Sequence, residues 1–332
     1  MAYCDIVIPF YQRKPGVLRR AVQSVRSQSV SDWRLIIVDD GSPQPADEDL
    51  AGFEEVASGK IALVHQANKG VSGARNTGLE HVSPDASMVA FLDSDDEWTP
   101  DHLKRVMDAG QAGADLYWEA VAVSDGAGFD SDSKPGDVIP PDLIESAGLP
   151  SDWARRPTSL YSVLIGQWWR HMHLSCTAVS ARVAQTVRFR ESLSFCEDFA
   201  FFMDCAALSE LTLFSDEVGV VRGTGDNVWH NVGFDDPRIA DEKFNMFRLL
   251  TEMRRTASLS PSDLELLDLR RQVCRELFYW NQNHRIKAGH SPSWKHWAIW
   301  MSQDAKLLKF VAGLALGTNQ NNGKTVIPGE PG

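Results

Sequence analysis

The first hundred residues alternate short apolar runs with helical ones, and this rhythm limits the possible folds more than any other feature of the chain. DIVIPF (5–10), WRLIIVDD (33–40), KIALVHQ (60–66) and MVAFL (88–92) are β-rich runs. Between the first two, residues 16–28 place Val17, Leu18, Ala21, Val22 and Val25 on one helical face. A helix is expected through 46–58, and NKGVSGARNTGLEHV occupies the interval after the third run. Strand, helix, strand, helix, strand at this spacing predicts a parallel α/β sheet covered by helices. Runs that are apolar throughout, rather than alternating with polar residues, predict strands buried on both faces.

An open α/β sheet binds its ligands outside the carboxyl ends of its strands. The four runs end in Pro9-Phe10-Tyr11, in Asp39-Asp40-Gly41-Ser42, near Asn68 and Gly70, and in Asp93-Ser94-Asp95-Asp96. Residues 93–97 include four carboxylates, which repel one another unless solvent or a cation takes up the charge. An aromatic ring, several acids and a Gly-rich turn carrying Arg75 converge on one sheet edge. That set suits a nucleoside diphosphate: an apolar wall for the base, acids for base N–H and ribose hydroxyls, and carboxylate-bound Mg²⁺ or Mn²⁺ for the phosphates. Each motif alone also has a plain reading, as a turn or as acids capping a helix.

Further along, Thr99 is expected to cap a helix with Pro100 at its first position, and residues 114–123 read as a strand. Residues 124–152 read as an irregular loop, and LSCTAVSAR (174–182) as an element preceding a helix. FCEDFAFFMDCAAL (195–208) reads as an apolar helix with acids near its start, and LTLFSDEVGVVRG (211–223) as hairpin strands. The expected organisation is a domain over 1–235, with a nucleotide half at 1–123 and an acceptor half at 124–235. A helical region over 236–317 and a disordered tail over 318–332 follow.

At 332 residues with a formal net charge of −12, the chain lacks the basic surface that a general nucleic-acid binder needs. Its five scattered cysteines fit free thiols in a reducing compartment. With no basic segment before the first apolar run and no apolar stretch near 18 residues, a cytoplasmic location is expected.

The runs IVIPFYQR, LIIVDDGSPQ, NKGVSGARNTGL, AFLDSDDEWTPDHL and FCEDFAFF, in this order and spacing, resemble a family 2 glycosyltransferase with the GT-A fold over roughly residues 3–230. The resemblance implies inverting transfer of a sugar from a nucleotide diphosphate donor, most often a UDP-sugar, to an acceptor hydroxyl. It implies Mn²⁺ or Mg²⁺ as cofactor and a saccharide or lipid-linked saccharide as acceptor, in polysaccharide or glycolipid assembly. Carried over by position, Asp93 faces the ribose, Asp95 holds the metal, and Asp40 lies on the nucleobase side with Pro9, Tyr11 and Asn68. Arg75 sits by the uracil or diphosphate, and Asp198 is the catalytic base. Where relatives place a further His, this chain has Thr224, and His230 six residues on is the expected substitute as a metal ligand.

A dehydrogenase of similar architecture would need G-x-G-x-x-G after the first strand, where this chain reads PFYQRKPG. The remaining alternatives are a nucleotidyltransferase of related fold and a non-catalytic nucleotide-sugar-binding partner of an assembly complex. In the acceptor half, Trp153, Trp168, Trp169, His171 and His173 cluster in sequence, as sugar-stacking rings or as core. The stretch 291–317 sets Trp294, Trp297, Trp300, Leu307, Leu308 and Phe310 among Lys295, Lys306 and Lys309. It reads either as a helix packed on the protein or as one lying on the inner face of the cell membrane. Oligomerisation is compatible with either reading.

Overall fold

Cys4–Phe10 (β1) is buried along its whole length in the computed structural model, which describes residues 3–123, 134–145, 154–166, 172–222 and 233–315. It pairs in parallel with Trp33–Asp39 (β2) on one side and Met88–Phe91 (β4) on the other, and β2 pairs in parallel with Ile61–His65 (β3). Beyond β4 the sheet becomes mixed. Thr177–Ser180 (β9) runs antiparallel to both β4 and Leu116–Val123 (β6), while Thr212–Arg222 (β10) runs parallel to β6. β10 also takes Glu97–Trp98 (β5) and Ala154–Pro157 (β8) antiparallel, and Ile144–Glu145 (β7) pairs antiparallel with β8. The main path is β3-β2-β1-β4-β9-β6-β10-β8-β7.

The unbroken apolar runs are explained by packing on both faces. Ile6, Ile8, Leu35 and Ile37 share one layer with Leu18, Val22 and Val25 of the helix Val17–Arg26. Their neighbours Ile36 and Val38 point the other way, against Ala74 of the helix Gly70–Glu80, as the two-residue strand period requires. Burying each such side chain contributes about 1.5–3 kcal/mol. Gly78 sets how close that helix approaches, because a Cβ there would stand 2.3 Å from Val7 Cγ1.

Three local expectations are corrected. The single helix through 46–58 is two short ones, Ala46–Leu50 and Glu54–Ala57, separated around Gly52 at φ 87°. Thr99 does not cap the next helix, which runs His102–Gln111 behind Asp101. Its amide and hydroxyl donate instead to Gly219 O and Val218 O, extending the β5–β10 pairing. Finally, residues 211–223 do not form a hairpin: Thr212–Arg222 is one strand. Register shifts at Phe214/Val218 and Val218/Val220 absorb Ser215–Glu217 within that strand.

Two units are distinguished, Met1–Ser192 with Glu197–Asn227, and Leu193–Cys196 with Val228–Gly332. The second is helical. Its helix Pro237–Thr256 starts from an Asp236 cap, and Pro261–Lys287 opens on a capping box between Ser260 and Asp263. Phe247 and Phe278 from these helices pack on Trp300 of the helix Trp294–Gln303, with ring centroids 5.3 and 4.5 Å away. A last helix spans Ala305–Ala315. All five cysteines are free thiols. Among the described residues, no helix is long and apolar enough to cross a membrane.

Candidate active site

The ends of β1, β2 and β4 are stitched together by one side chain and one backbone amide. Gln12 N donates to Ser42 Oγ at 2.8 Å, and Gln12 Nε2 donates to Ser94 Oγ at 3.1 Å. Beside this stitch Pro9 is buried, while the Tyr11 ring is 44 % exposed, with the Arg13 guanidinium 6.0 Å from its centroid. Asp40 is largely engaged in local structure: Oδ1 accepts from Gln66 Nε2 (2.6 Å) and Lys69 N (2.8 Å), and Oδ2 from Gly70 N (2.9 Å). Of the roughly four lone-pair sites on a carboxylate, one remains for a ligand. Asn68, exposed in the same turn, accepts from Gly70 N. Gly41 has φ 67°, and a Cβ there would press to 3.2 Å from Asn68 N, so the β2 turn needs glycine.

Arg75 joins residues that are far apart in the chain. It projects from the helix Gly70–Glu80, is buried, and donates through Nη2 to Asp93 Oδ1 at 2.8 Å and through Nη1 to Glu197 Oε1 at 3.2 Å. Its guanidinium also lies 5.3 Å from the Phe189 ring centroid. The adjacent Asn76 fixes that ring's segment, donating to Phe189 O (2.9 Å) and accepting from Phe189 N (2.8 Å). A lysine could not make the forked contact to both carboxylates.

The acid knot after β4 is organised by Ser175, which is fully buried. Its Oγ accepts from Asp93 N (3.0 Å) and donates to Asp96 Oδ2 (2.7 Å), and its backbone N donates to His173 Nδ1 (3.3 Å). Donor atoms of Asp93, Asp96 and His173 lie within 4.8 Å of one another. Asp95, partly buried, stands beside this trio in the chain and is not a member of it. His230 lies outside the described residues, as do Trp153, Trp168, Trp169 and His171.

Charge in the knot is unevenly held. Burial opposes the ionised form of Asp93, but the Arg75 guanidinium outweighs it and holds the carboxyl below its ordinary range. Burial and then the Asp93 charge push Asp95 up to about 6, and burial with the Asp93 and Asp95 charges pushes Asp96 up to about 7. Burial and the Arg222 charge drive His173 down to about 3, so its imidazole is neutral. Two crowded carboxylates and a neutral imidazole suit a hard divalent cation such as Mn²⁺ or Mg²⁺. The third acid group opens the helix Glu197–Leu208, where Asp198 Oδ1 accepts from Phe199 N at 2.7 Å. Burial, then the neighbouring Glu197, raises Asp198 to about 7.

The family description "Glycosyl transferase family 2" matches residues 5–188. Succinoglycan biosynthesis protein ExoW of Rhizobium meliloti (strain 1021) is 34% identical over 319 residues, covering 96% of this chain and 99% of its own length. The chain belongs to glycosyl transferase family 2. The crystal structure of S. aureus TarS 1-349 in complex with UDP-GlcNAc shares the fold at TM-score 0.57 and 15% identity, covering 86% of this chain and 73% of that one. Mannosyltransferase PcManGT from Pyrobaculum calidifontis, in complex with GDP-Man and Mn²⁺, shares it at TM-score 0.55 and 15% identity, covering 94% and 80%. This family 2 glycosyltransferase thus has the GT-A fold that the resemblance of its motifs implied.

Sequence reasoning about the family 2 site did not single out Asp96 and Ser175, and it grouped His173 with the acceptor-side aromatics. Asp96 was visible only as one more acid in a run. Ser175 and His173 sit about eighty residues from the knot in a segment with no motif, and the antiparallel β4–β9 pairing brings them there. No sequence signal marks that crossing.

Proposed function

We propose that this family 2 glycosyltransferase performs inverting transfer of a sugar from a nucleoside diphosphate donor, a UDP-sugar, to an acceptor hydroxyl in polysaccharide or glycolipid assembly. The observation that carries the reading is the Arg75 fork, which ties the acid knot to the opening turn of the helix bearing Asp198. One guanidinium thereby couples a donor-side acid set to an acceptor-side carboxylate. In the proposed assignment Pro9, Tyr11, Asn68 and the remaining lone pair of Asp40 face the nucleobase, Asp93 the ribose, and Arg75 the diphosphate side.

Asp93, Asp96 and His173 would hold the divalent cation, with Asp95 adjacent and able to turn a carboxylate oxygen to it. When bound there, the cation supplies charge neutralisation for the leaving diphosphate. Asp198 is the base. As the acceptor oxygen bonds to the anomeric carbon, the bond from that carbon to the diphosphate oxygen breaks on the opposite face, and the hydroxyl proton passes to Asp198. Its raised pKa suits this task, because a base whose pKa lies near the working pH combines a strong pull on the proton with a substantial ionised fraction. Burial that raises the pKa also keeps bulk water from competing as acceptor.

The donor class is the one bound in the like-folded TarS and PcManGT structures, complexes with UDP-GlcNAc and GDP-Man. Assembly of a polysaccharide follows the name of the ExoW relative, a succinoglycan biosynthesis protein. The test is a thermal-shift panel of UDP, GDP, dTDP, CDP and CMP with and without Mn²⁺. A diphosphate at about a hundred times its Kd adds roughly 2.7 kcal/mol of stability, and UDP with Mn²⁺ is expected to give the largest rise. A nucleotide that shifts the midpoint equally with and without metal removes the cation from the reading. Absence of any shift removes the donor site.

A further inference from the structure

We propose that the outward face of the two C-terminal helices docks on an anionic lipid bilayer surface. The inward sides of these helices are committed to the core: Trp300 and Leu307 are fully buried, and Trp297 packs edge-on against Phe278 at 5.0 Å. Their outward sides are apolar where solvent would favour polar groups. Trp294 is 71 % exposed, Leu308 51 % and Met301 38 %, and Ala298 and Ala312 lie open as well. Ile286, at the end of the preceding long helix, is 53 % exposed. Large apolar side chains gathered on one short segment mark an interaction surface.

Charge selects the occupant. The chain as a whole has 45 acidic residues against 33 basic ones. Residues 285–315 reverse that balance, with Arg285, Lys287, Lys295, Lys306 and Lys309 against one acid, Asp304. Asp304 is buried and held by Arg275, so it does not offset the exposed lysines. Two acids from outside this segment meet its histidines instead: Asp241 is engaged by His296 Nε2 at 2.6 Å, and Asp235 lies 3.6 Å from His290 Nε2. Lys295, Lys306 and Lys309 are exposed within the same stretch as the apolar side chains, and among the described residues none of them forms an ion pair. Apolar side chains that insert at the headgroup boundary, ringed by lysines that meet anionic headgroups, are what an interfacial helix requires. A second copy of this acidic chain would supply the apolar partner but has its own lysines at the same positions.

This inference stands without the donor reading, and its test is binding, not transfer. The full chain is floated with phosphatidylcholine vesicles containing about a quarter phosphatidylglycerol, and with pure phosphatidylcholine, at low salt and at high salt. Binding is expected to the anionic vesicles and to fall at high salt. Changing Lys295, Lys306 and Lys309 together to Gln should weaken it on the order of a hundredfold, about fivefold for each charge. Trp294→Ser should weaken it on the order of tenfold. Both variants alter exposed side chains, and an unchanged circular dichroism melt shows that they fold. The proposal is overturned if wild type stays unbound, or if it binds and neither variant weakens it. It is equally overturned if light scattering finds a dimer that Trp294→Ser dissociates while vesicles remain bare.

Discussion

The acid knot after β4 and the acid pair opening the helix Glu197–Leu208 are both carboxylate clusters, yet the fold supports them differently. In the pair, one member is tied off: Glu197 is held by Arg75, and Asp198 is left as the single group with its pKa raised. In the knot, Arg75 settles only Asp93, and two further carboxyls stay crowded and raised. In the proposed reading the pair takes a proton, whereas the knot calls for a positive charge, and this difference would separate a site for chemistry from a site for a cation.

The sharpest way to break the comparison is Asp198→Asn. It preserves shape and removes the base, so we expect sugar transfer to fall by about 10²–10⁴ while UDP with Mn²⁺ still raises the melting midpoint as in wild type. In the unaltered enzyme, activity should fall as pH drops through about 7, near tenfold per unit, as Asp198 becomes protonated. A variant that loses nucleotide binding along with transfer would put Asp198 in the knot's category and defeat the distinction.

Arg75 is the shared member, so its removal should damage both clusters. Arg75→Ala leaves Asp93 and Glu197 unpaired in a partly buried setting, a loss of about 3–5 kcal/mol that a denaturant melt would register. Arg75→Lys retains the charge but reaches only one carboxylate at a time, and should fall between wild type and Ala. If Lys matches wild type in stability and turnover, the fork is not what couples the two sites.

Ser175→Ala should leave the base alone and loosen the knot. Groups that orient metal ligands typically contribute 10–100-fold to affinity, and Ser175 anchors Asp93, Asp96 and His173 together. Titration calorimetry with Mn²⁺ should show a weakening in that range, with turnover recovering at saturating metal. A metal affinity within twofold of wild type would make Ser175 only a packing residue.

The two clusters also differ in how far they can be read from sequence. β1 to β4 and their terminal acids are written in contiguous motifs, because a parallel strand buried on both faces must be apolar throughout and its ligand groups follow it directly. The Asp198 pair is equally local, a helix start. What could not be read is what depends on strands meeting across the sheet. Ser175 reaches Asp93 only because β9 pairs antiparallel with β4. Arg75 reaches Glu197 across 122 positions of chain. The Thr99 error has the same origin: a good capping residue is taken by a sheet edge that forms only when β10 arrives. Asp40 shows the converse, since a motif acid expected at the ligand proves also to fasten its own turn.

The smallest expected effect tests whether the knot is strained as described. Asp95 and Asp96 have folded-state pKa values near 6 and 7, against about 3.9 for an unfolded aspartate. Between roughly pH 4 and 7 the native chain therefore holds protons that the unfolded chain has released, and stability must fall as pH rises through that window. In EDTA, the wild-type melting midpoint should decline from pH 5.5 to 7.5 more than that of Asp95→Asn or Asp96→Asn, each of which has one crowded charge fewer. Each kcal/mol lost corresponds to a shift of about 2–4 °C in a domain of this size. Mn²⁺ at pH 7.5 should remove most of the wild-type deficit, because a cation replaces the missing protons in cancelling repulsion. Asp198, raised by burial and by Glu197, tilts the same way but is present in all three proteins and drops out of the difference. If the three pH profiles run parallel, the repulsion is already met by Arg75 and Arg222, and the knot would be as complete without a cation as the pair is.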